Sequence, residues 1–355
     1  LTLNSTDQGL DEEGYIMTIG DSVKIEAEKA TGAYWGVISA LQILKQNKTT
    51  IPKGIKRDYP KYEVRGFMLD VGRKAFDFNT VKEFAKNMAW YKMNNFHLHL
   101  SDNLIFLEDY ATIDEAVENA YAGFRLESEI PNLTSEDTYY TKEEFRSFIK
   151  DSRTMGVNII PEFDMPGHSE AFVRTFRHDM QSPEGMKILK LLVDEVCETF
   201  DVPYLHIGTD EVRFTNPKFV PEMVEYVRAK GKKVISWNPG WHYKPGEIDM
   251  THLWSYRGKA QKGIPAIDSK FHYLNHFDTF GDIIALYNSR IYNVEQGSDD
   301  IAGTILAIWN DRYVANERNI ILENNFYPNM LAIAERAWKG GGTEYFDKNG
   351  TILPS

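Results

Sequence analysis

The feature that most constrains the fold is a repeat of short apolar segments, each followed by a loop and most by a helical pattern, that begins at Tyr62. Apolar segments that alternate with helical periodicity are typical of parallel sheets covered by helices. Eight such segments predict eight strands. They are Arg65–Val71, Phe96–Ser101, Val157–Phe163, Tyr204–Gly208, Lys233–Trp237, Thr251–Trp254, Phe271–Asn275 and Thr304–Trp309.

Helices are predicted between these strands, and those after the last three strands are poorly defined. Asn79 or Thr80 is the expected cap of the first helix. Thr141 is expected to cap the second, because Glu144 follows at the spacing of a capping box. Eight parallel strands with interposed helices predict an α/β fold, the (β/α)8 TIM barrel. The clearest helices are Asn79–Met93, Thr141–Met155, Gly185–Phe200, Pro217–Lys230 and Tyr327–Trp338.

Residues 1–57 have a different pattern, with two short strands within 14–27 and an amphipathic helix at 30–44. These strands are too few to close a sheet. We therefore expect residues 1–57 to be part of a small α/β domain whose N-terminal part is missing, and 58–355 to form the barrel.

Composition excludes several classes of partner. The formal net charge of −12 argues against nucleic-acid binding, which needs a basic face. No apolar run reaches the roughly 18–20 residues of a membrane span. Cys197 is the single cysteine, so no intrachain disulfide forms, and its helical context predicts a buried thiol.

Polar and aromatic residues gather at the C-terminal ends of the predicted strands, where a TIM barrel carries its active site. Asp210 and Glu211 follow the fourth strand as an adjacent acidic pair. Glycoside cleavage uses an acid beside the leaving oxygen and a second group at the anomeric carbon. Adjacent carboxylates raise one another's pKa, which would keep one of them protonated at neutral pH.

At these residues the sequence resembles family 20 glycoside hydrolases, the β-N-acetylhexosaminidases and lacto-N-biosidases. The resemblance covers most of the barrel, and residues 1–57 are similar to the end of the small domain that precedes the barrel in that family. The segments that carry it are Arg65–Arg73, Phe96–Asp102, Pro161–His168, His206–Val212 and Ala332–Trp338.

The resemblance implies retaining, substrate-assisted catalysis, in which the substrate's 2-acetamido oxygen attacks the anomeric carbon and forms an oxazolinium intermediate. Glu211 would be the general acid and base. Asp210 would hold the acetamido N–H, and Tyr273 would donate to the acetamido oxygen. Arg73 would bind sugar hydroxyls, and Trp237, Trp254 and Trp309 would wall the pocket. Asp102, Asp164 and His168 would position the acid and tune its proton.

Two further residues expected to touch the sugar's outer hydroxyls depart from the commonest family pattern. Asn275 stands where many members have Asp, and Asp311 where many have Glu. A shorter acid and a lost charge leave room for a substituted sugar. Release of a GlcNAc-containing disaccharide, as by lacto-N-biosidases, is therefore an alternative to release of single GlcNAc or GalNAc.

The expected partners are oligosaccharides or glycoconjugates that end in N-acetylhexosamine, without a cofactor or a metal. The resemblance implies a secreted or cell-surface location and a longer parent protein. Two other hypotheses are a sugar-binding protein without catalysis and a zinc hydrolase. The zinc site would be built from His97, His99, His168, His206 and Asp210.

Overall fold

The structure, a computed structural model, describes residues 1–4, 9–47, 50–104, 110–119, 121–270, 273–275, 283–310 and 326–343. The first unit is an antiparallel sheet in the order β2-β1-β3 with one helix packed against it. Its third strand was not predicted from the sequence. Its elements are β1 (Tyr15–Ile19), β2 (Val23–Ala27), α1 (Ala30–Asn47) and β3 (Gly54–Asp58).

The second unit is a closed parallel barrel, as predicted. Its sheet runs β12-β11-β10-β9-β8-β5-β4-β14, and pairing of β12 with β14 closes the ring. Its elements, in chain order, are β4 (Val64–Asp70), α2 (Phe78–Trp90), β5 (Asn95–His99), β6 (Ser101–Leu104), α3 (Ile113–Asn119), β7 (Tyr121–Phe124), α4 (Lys142–Thr154), β8 (Asn158–Glu162), α5 (Glu170–Phe176), α6 (Pro183–Thr199), β9 (Tyr204–His206), α7 (Phe219–Ala229), β10 (Lys233–Asn238), β11 (Met250–Leu253), β12 (Ala266–Asp268), β13 (Tyr273–Asn275), α8 (Ile283–Asn288), a 3-10 turn (Ile291–Asn293), β14 (Ile301–Trp309) and α9 (Phe326–Lys339).

The seventh strand differs from its prediction, because it is divided into β12 and β13. The side chain of Thr304 donates to the carbonyl of Asp268 (2.6 Å), and that of Ser269 donates to the carbonyl of Ile305 (2.5 Å). These side-chain bonds take the place of ladder bonds where β12 ends. β13 then pairs with the C-terminal half of β14, with Asn275 opposite Trp309. The sequence pattern predicted the second piece alone.

One of the two predicted helix caps is confirmed, and the other is wrong. Thr141 and Glu144 form the predicted capping box of α4. The cap of α2 is Asp77 rather than Asn79 or Thr80, because the Asp77 carboxylate accepts the backbone N–H of Asn79 at 2.8 Å. Within the described residues, no helix has the length and apolar character needed to cross a membrane.

A buried ion pair joins the small sheet unit to the bottom of the barrel. The guanidinium of Arg65, on β4, has no exposed surface and contacts both carboxylate oxygens of Glu13. Asn94 and Trp35 also donate to Glu13, at 3.0 and 2.9 Å. A buried guanidinium needs such a partner, so Glu13 ties the two units together electrostatically.

The segment between the second and third barrel strands includes an antiparallel pair of strands, β6 and β7. Arg125, fully buried, anchors it: the Nε of Arg125 donates to the carbonyl of Val71 (2.8 Å) and the Nη1 to the Oδ1 of Asp137 (2.8 Å). Its guanidinium also contacts the carbonyl of Gly72 (3.1 Å). The segment is thereby fixed to the loop after β4.

Candidate active site

The loop after β9 places the acidic pair in an unusual backbone conformation. Gly208, Thr209 and Glu211 have φ of 65°, 85° and 49°. A Cβ on Gly208 would lie 1.8 Å from the Oδ1 of Asp164, so glycine is required there. A β-branched residue such as Thr209 rarely adopts positive φ. Strain of this kind concentrates at functional sites, and here it lies in the loop that carries both carboxyls.

Asp210 and Glu211 occupy different environments although they are adjacent. Asp210 is 7% exposed, and its Oδ1 has no hydrogen-bond partner among the residues that the structure describes. The side chain of Glu211 is 55% exposed, and its Oε2 lies 3.6 Å from the Nε2 of His168. The loop therefore offers one buried acceptor and one accessible acid.

A line of alternating acids and imidazoles leads inward from Glu211. The Nδ1 of His168 lies 2.9 Å from the Oδ1 of Asp102, and the Nε2 of His99 lies 2.5 Å from the Oδ2 of Asp102. The Nδ1 of His99 lies 2.6 Å from the Oε2 of Glu162. Both nitrogens of His99 thus face carboxylates. Burial alone would lower the pKa of His99, but Glu162 and Asp102 hold it well above its usual value.

Glu162 is the hub of this network at the C-terminal end of β8. Its Oε2 also contacts the Nε2 of His97 (2.7 Å), and its Oε1 accepts from the indole of Trp237 (2.6 Å). The Nδ1 of His206 lies 3.1 Å from the Oε1. Burial raises the pKa of Glu162, but the surrounding histidines outweigh burial and hold it well below the ordinary value. The surrounding imidazoles thus favour the ionised form of Glu162 inside the barrel.

Arg73 is held at the rim by two carboxylates. The Nη1 of Arg73 lies 3.0 Å from the Oδ2 of Asp70, and its Nη2 lies 2.9 Å from the Oδ2 of Asp102. Its Nε donates to the carbonyl of Asn103 (3.0 Å), and its guanidinium lies 5.6 Å from the Trp309 ring centroid. These contacts fix the orientation of the guanidinium.

The pKa shifts of the acidic pair have a different cause from the one expected from the sequence. Burial raises the pKa of Asp210, with the carboxylates of Glu162 and Asp102 adding to it and His168 opposing it. The imidazole of His168, 3.6 Å from its carboxylate, lowers the pKa of Glu211. Burial and Asp210 hold the pKa of Asp164 well above its usual range. The pKa values of Asp210 and Glu211 therefore depend less on their proximity to each other than on burial and on the position of His168.

The three candidate tryptophans lie near one another but at different depths. Trp237 and Trp309 belong to one apolar cluster inside the barrel, and Trp254 packs against it. Trp237 has no exposed surface and stacks on His252 at 4.1 Å. Trp309 is 4% exposed, and Trp254 is partly exposed. Walling a pocket stays a prediction for all three, and in this structure Trp237 is a core side chain bound to Glu162.

Of three other candidate site residues, the structure describes the backbone of two and nothing of the third. The backbones of Tyr273 and Asn275 lie in β13 beside Ala307 and Trp309 of β14, at the end of the barrel that carries the acidic pair. Their side chains, and the whole of Asp311, lie outside the described residues. Their predicted contacts with substrate therefore remain predictions.

Several residues that organise the site were not assigned a role in the predicted glycosidase site, and His99 was named only as a candidate zinc ligand. Glu162 and His99 form the interior of the acid–imidazole line, and Asp70 clamps Arg73. Asn310 donates from its backbone N–H to the Oδ2 of Asp70 (3.1 Å) and from its side chain to the carbonyl of Asp70. Asp70, His99 and Glu162 lie at strand ends in the sequence pattern. Their position at strand ends could be read from the sequence, whereas the pairing of their side chains could not.

The zinc set suggested by the sequence is not assembled as one cluster. Among the residues that the structure describes, two separate groups have ligand atoms within 4.8 Å of one another. The first, Asp164, His168 and Asp210, belongs to the acidic site at the rim. The second, His97, His206 and His252, is fully buried beneath it.

Comparison with known proteins adds an independent line of support. The sequence model described as "Glycosyl hydrolase family 20, catalytic domain" matches residues 62–181. The model described as "Glycosyl hydrolase family 20, domain 2" matches residues 1–59. Together the two matches cover half of the chain, and each falls on one of the two structural units.

Relatives of known name and structure agree. A lacto-N-biosidase of Bifidobacterium bifidum is 23% identical across 95% of this chain and 34% of its own length. An N,N'-diacetylchitobiase of Vibrio harveyi is 31% identical across 67% of this chain and 30% of its own. A β-N-acetylhexosaminidase structure from Bacteroides fragilis matches with a TM-score of 0.78 and 23% identity, covering 97% of this chain and 80% of that one, which shows a shared fold. The chain spans one third to about half of the first curated relatives it matches.

Proposed function

Because the chain belongs to glycosyl hydrolase family 20, we propose that its barrel, residues 58–355, is a retaining exo-glycosidase that releases β-linked N-acetylhexosamine. The substrates are oligosaccharides or glycoconjugates that end in this sugar. The reaction uses the substrate's own 2-acetamido oxygen as nucleophile and passes through an oxazolinium intermediate. No enzyme nucleophile is needed in this scheme.

The observation that carries the proposal is the buried Oδ1 of Asp210, which has no partner among the described residues. A buried acceptor without a partner is costly, and a ligand N–H is the group that satisfies it. The acetamido N–H of the substrate supplies that donor. Asp210 then stabilises the positive charge that develops on the oxazolinium ring, the electrostatic role commonly worth about 3 kcal/mol or more.

Glu211 acts as the general acid and then as the base that activates water. The exposed side chain of Glu211 can contact the leaving oxygen of the substrate. The Nε2 of His168 lies 3.6 Å from its Oε2. Substrate binding supplies the protonation states that the reaction needs. The acetamido N–H lowers the pKa of Asp210, whereas covering Glu211 with a sugar desolvates it and raises its pKa. Substrate binding therefore favours an ionised Asp210 and a protonated Glu211.

The remaining rim residues orient the sugar. Arg73, already aligned by Asp70 and Asp102, binds the ring hydroxyls. Tyr273 on β13 donates to the acetamido oxygen, and Trp254 and Trp309 stack on the apolar face of the sugar and the acetamido methyl. Trp237 supports them from below through its contact with Trp309, at 5.5 Å between ring centroids.

A lacto-N-biosidase specificity is the second candidate within the same chemistry. Asn275 and Asp311 are smaller or less charged than the residues that the commonest family pattern has there. The similarity to the Bifidobacterium bifidum lacto-N-biosidase extends over 95% of this chain. Both observations favour a pocket that accepts Gal-GlcNAc as one unit.

Side-by-side release assays on p-nitrophenyl GlcNAc, GalNAc and lacto-N-bioside test the proposal. We expect β-anomeric product at first turnover and inhibition by a thiazoline that mimics the oxazoline. Release from lacto-N-bioside alone would select the second candidate. A chain that binds the thiazoline without turnover of any glycan would be a sugar-binding protein, and loss of activity with a chelator would favour the zinc hydrolase.

A further inference from the structure

The acid–imidazole line extends from the accessible acid to a carboxylate deep inside the barrel. Its members, from the rim inward, are Glu211, His168, Asp102, His99 and Glu162. The separations between the facing nitrogen and oxygen atoms are, in the same order, 3.6, 2.9, 2.5 and 2.6 Å. The three inner contacts are hydrogen bonds, so a continuous hydrogen-bonded path connects the innermost carboxylate to the imidazole beside Glu211.

Glu162 occupies the buried end of this line. Its side chain has no exposed surface, and its Cα is paired with that of His99 in the register of β8 on β5. A side chain without exposed surface does not meet a substrate directly. Any part that Glu162 takes in the reaction therefore passes through the side chains that it contacts.

The two carboxylate oxygens of Glu162 have different partners. The Oε1 accepts from the indole N–H of Trp237 (2.6 Å), a group that can only donate. The Oε2 faces the Nδ1 of His99 (2.6 Å) and the Nε2 of His97 (2.7 Å). One oxygen thus holds the carboxylate in place, and the other begins the line toward the rim.

Asp102 is the point at which the line divides. Its Oδ2 contacts the Nη2 of Arg73 as well as His99, and its Oδ1 contacts the Nδ1 of His168. Arg73 has two further anchors, the Oδ2 of Asp70 and the carbonyl of Asn103, both at 3.0 Å. Among the described residues, Asp102 is the hydrogen-bond partner of that His168 nitrogen. A displaced Asp102 should therefore disturb His168 more than Arg73.

The loop that carries His168 is itself tightly placed. The backbone of His168 is left-handed, with φ of 51°. A Cβ on Gly167 would lie 3.2 Å from the carbonyl oxygen of Asp210 and 3.1 Å from the Cβ of Val212, so this loop packs closely on the loop after β9. The backbone has little room to adjust, and the direction of the imidazole depends on its side-chain partner.

We propose that Glu162 is a positioning residue that acts on the general acid Glu211 through the acid–imidazole line. This role rests on the proposed function, in which Glu211 protonates the leaving oxygen. Glu162 holds the ring of His99, which keeps the carboxylate of Asp102 in one orientation. Asp102 in turn keeps the imidazole of His168 directed at Glu211.

Glu162→Gln tests the proposal with little change in side-chain volume. Because Trp237 can only donate, the amide oxygen stays at the place of Oε1, and the amide NH₂ faces His99. The variant thus replaces an acceptor with a donor at the start of the line. On a β-N-acetylhexosaminide with a poor leaving group we expect kcat to fall by about 10–100-fold, with KM changed by less than about twofold.

The same variant should lose much less kcat on the p-nitrophenyl glycoside, since that leaving group needs little help from the acid. His97→Gln is the matched control, because His97 is equally buried and contacts the same oxygen of Glu162 but lies off the line. Any loss of kcat in this control should be equal for the two leaving groups. Equal losses in Glu162→Gln, or the same leaving-group dependence in His97→Gln, would overturn the proposal.

His99→Gln interrupts the line one residue closer to the rim and keeps the test available if Glu162→Gln does not fold. It should reproduce the dependence of the loss on the leaving group. An equal loss of kcat on both glycosides in this variant would also contradict the role of the line.

A double variant shows whether Glu162 acts through His168. Residues that act as one unit give non-additive losses. Glu162→Gln combined with His168→Gln should therefore lose no more kcat than His168→Gln alone, within about twofold. If wild type cleaves these glycosides and the two single losses multiply, the positioning role fails while the proposed function stands. If wild type cleaves none of them, the proposed function fails and the positioning role fails with it.

Discussion

The Nε2 of His168 lies 3.6 Å from the Oε2 of Glu211, while the opposite nitrogen of the same ring is bound to Asp102. Burial would lower the pKa of His168, but Asp102 and Glu211 outweigh burial and hold it well above its usual value. A charged imidazole therefore stands behind the accessible acid. Glu211 is the proposed acid, so His168 is expected to set the pH at which that acid loses its proton.

Replacing His168 with Gln tests this relationship. The variant removes the cation that lowers the pKa of Glu211, so we expect the alkaline limb of kcat/KM, which reports the free enzyme, to move to higher pH. We expect kcat to fall by about 10–100-fold because the acid is less well positioned. His178→Gln, an exposed histidine, is the matched control. A limb that stays in place would show that His168 does not control Glu211.

Replacing Glu211 with Gln separates acid catalysis from charge stabilisation. We expect kcat to fall by about 10²–10⁴-fold on a glycan with a poor leaving group. The loss should be smaller with p-nitrophenol, which leaves without full protonation, although water activation remains impaired. Equal losses on both substrates would be inconsistent with a general-acid role for Glu211.

The pH dependence of stability follows from the pKa shifts of Asp102 and His168, which form one ion pair. Burial raises the pKa of Asp102, but Arg73 and His168 outweigh it, so the folded pKa lies below the unfolded value of about 3.9. The stabilisation from Asp102 is therefore present above about pH 3.9 and lost as the pH falls further. The pKa of His168 is raised on folding, so its contribution is full below about pH 6.5 and is lost as the pH rises through the folded pKa.

Chemical denaturation across this pH range measures both effects. In Asp102→Asn the acid-side loss should flatten and the alkaline-side loss should shrink, because the imidazole no longer gains a carboxylate partner. Asp299→Asn, which changes an exposed carboxylate, should reproduce the wild-type curve. A wild-type curve without either slope would mean that the contact is not charged in solution.

Glu13→Ala should destabilise the chain, because it leaves the buried guanidinium of Arg65 without its carboxylate. Removing one partner of a buried ion pair costs about 3–5 kcal/mol. Denaturant unfolding should show this loss, together with a lower midpoint for the small sheet unit. Glu12→Ala, an exposed neighbour, should change the free energy of unfolding by less than about 0.5 kcal/mol. Similar values for both variants would contradict the joining role of Glu13.

The sequence was sufficient for the barrel because strand and helix periodicity are local properties. It also placed Asp210, Glu211, Asp102 and His168 at one rim, because the ends of parallel strands share an edge. It did not predict the hub at Glu162, since that role depends on donors that four other strand positions bring to a single carboxylate.

The sequence pattern also does not predict how deeply each side chain is buried. Trp237 and Trp254 end neighbouring strands in the same way, yet one is buried on His252 and the other is partly exposed. The strand break between β12 and β13 depends on hydroxyl bonds from Ser269 and Thr304, which periodicity cannot reveal.

The most direct measurement of the central claim compares Asp210→Asn with wild type on two p-nitrophenyl β-glycosides, one with the 2-acetamido group and one with a 2-hydroxyl. If the buried carboxylate of Asp210 assists attack by the substrate's amide, wild type should strongly prefer the acetamido substrate. Asp210→Asn should then lose about 10²-fold or more of that activity. Equal wild-type rates on the two glycosides, or a nearly silent Asp210→Asn, would contradict the account.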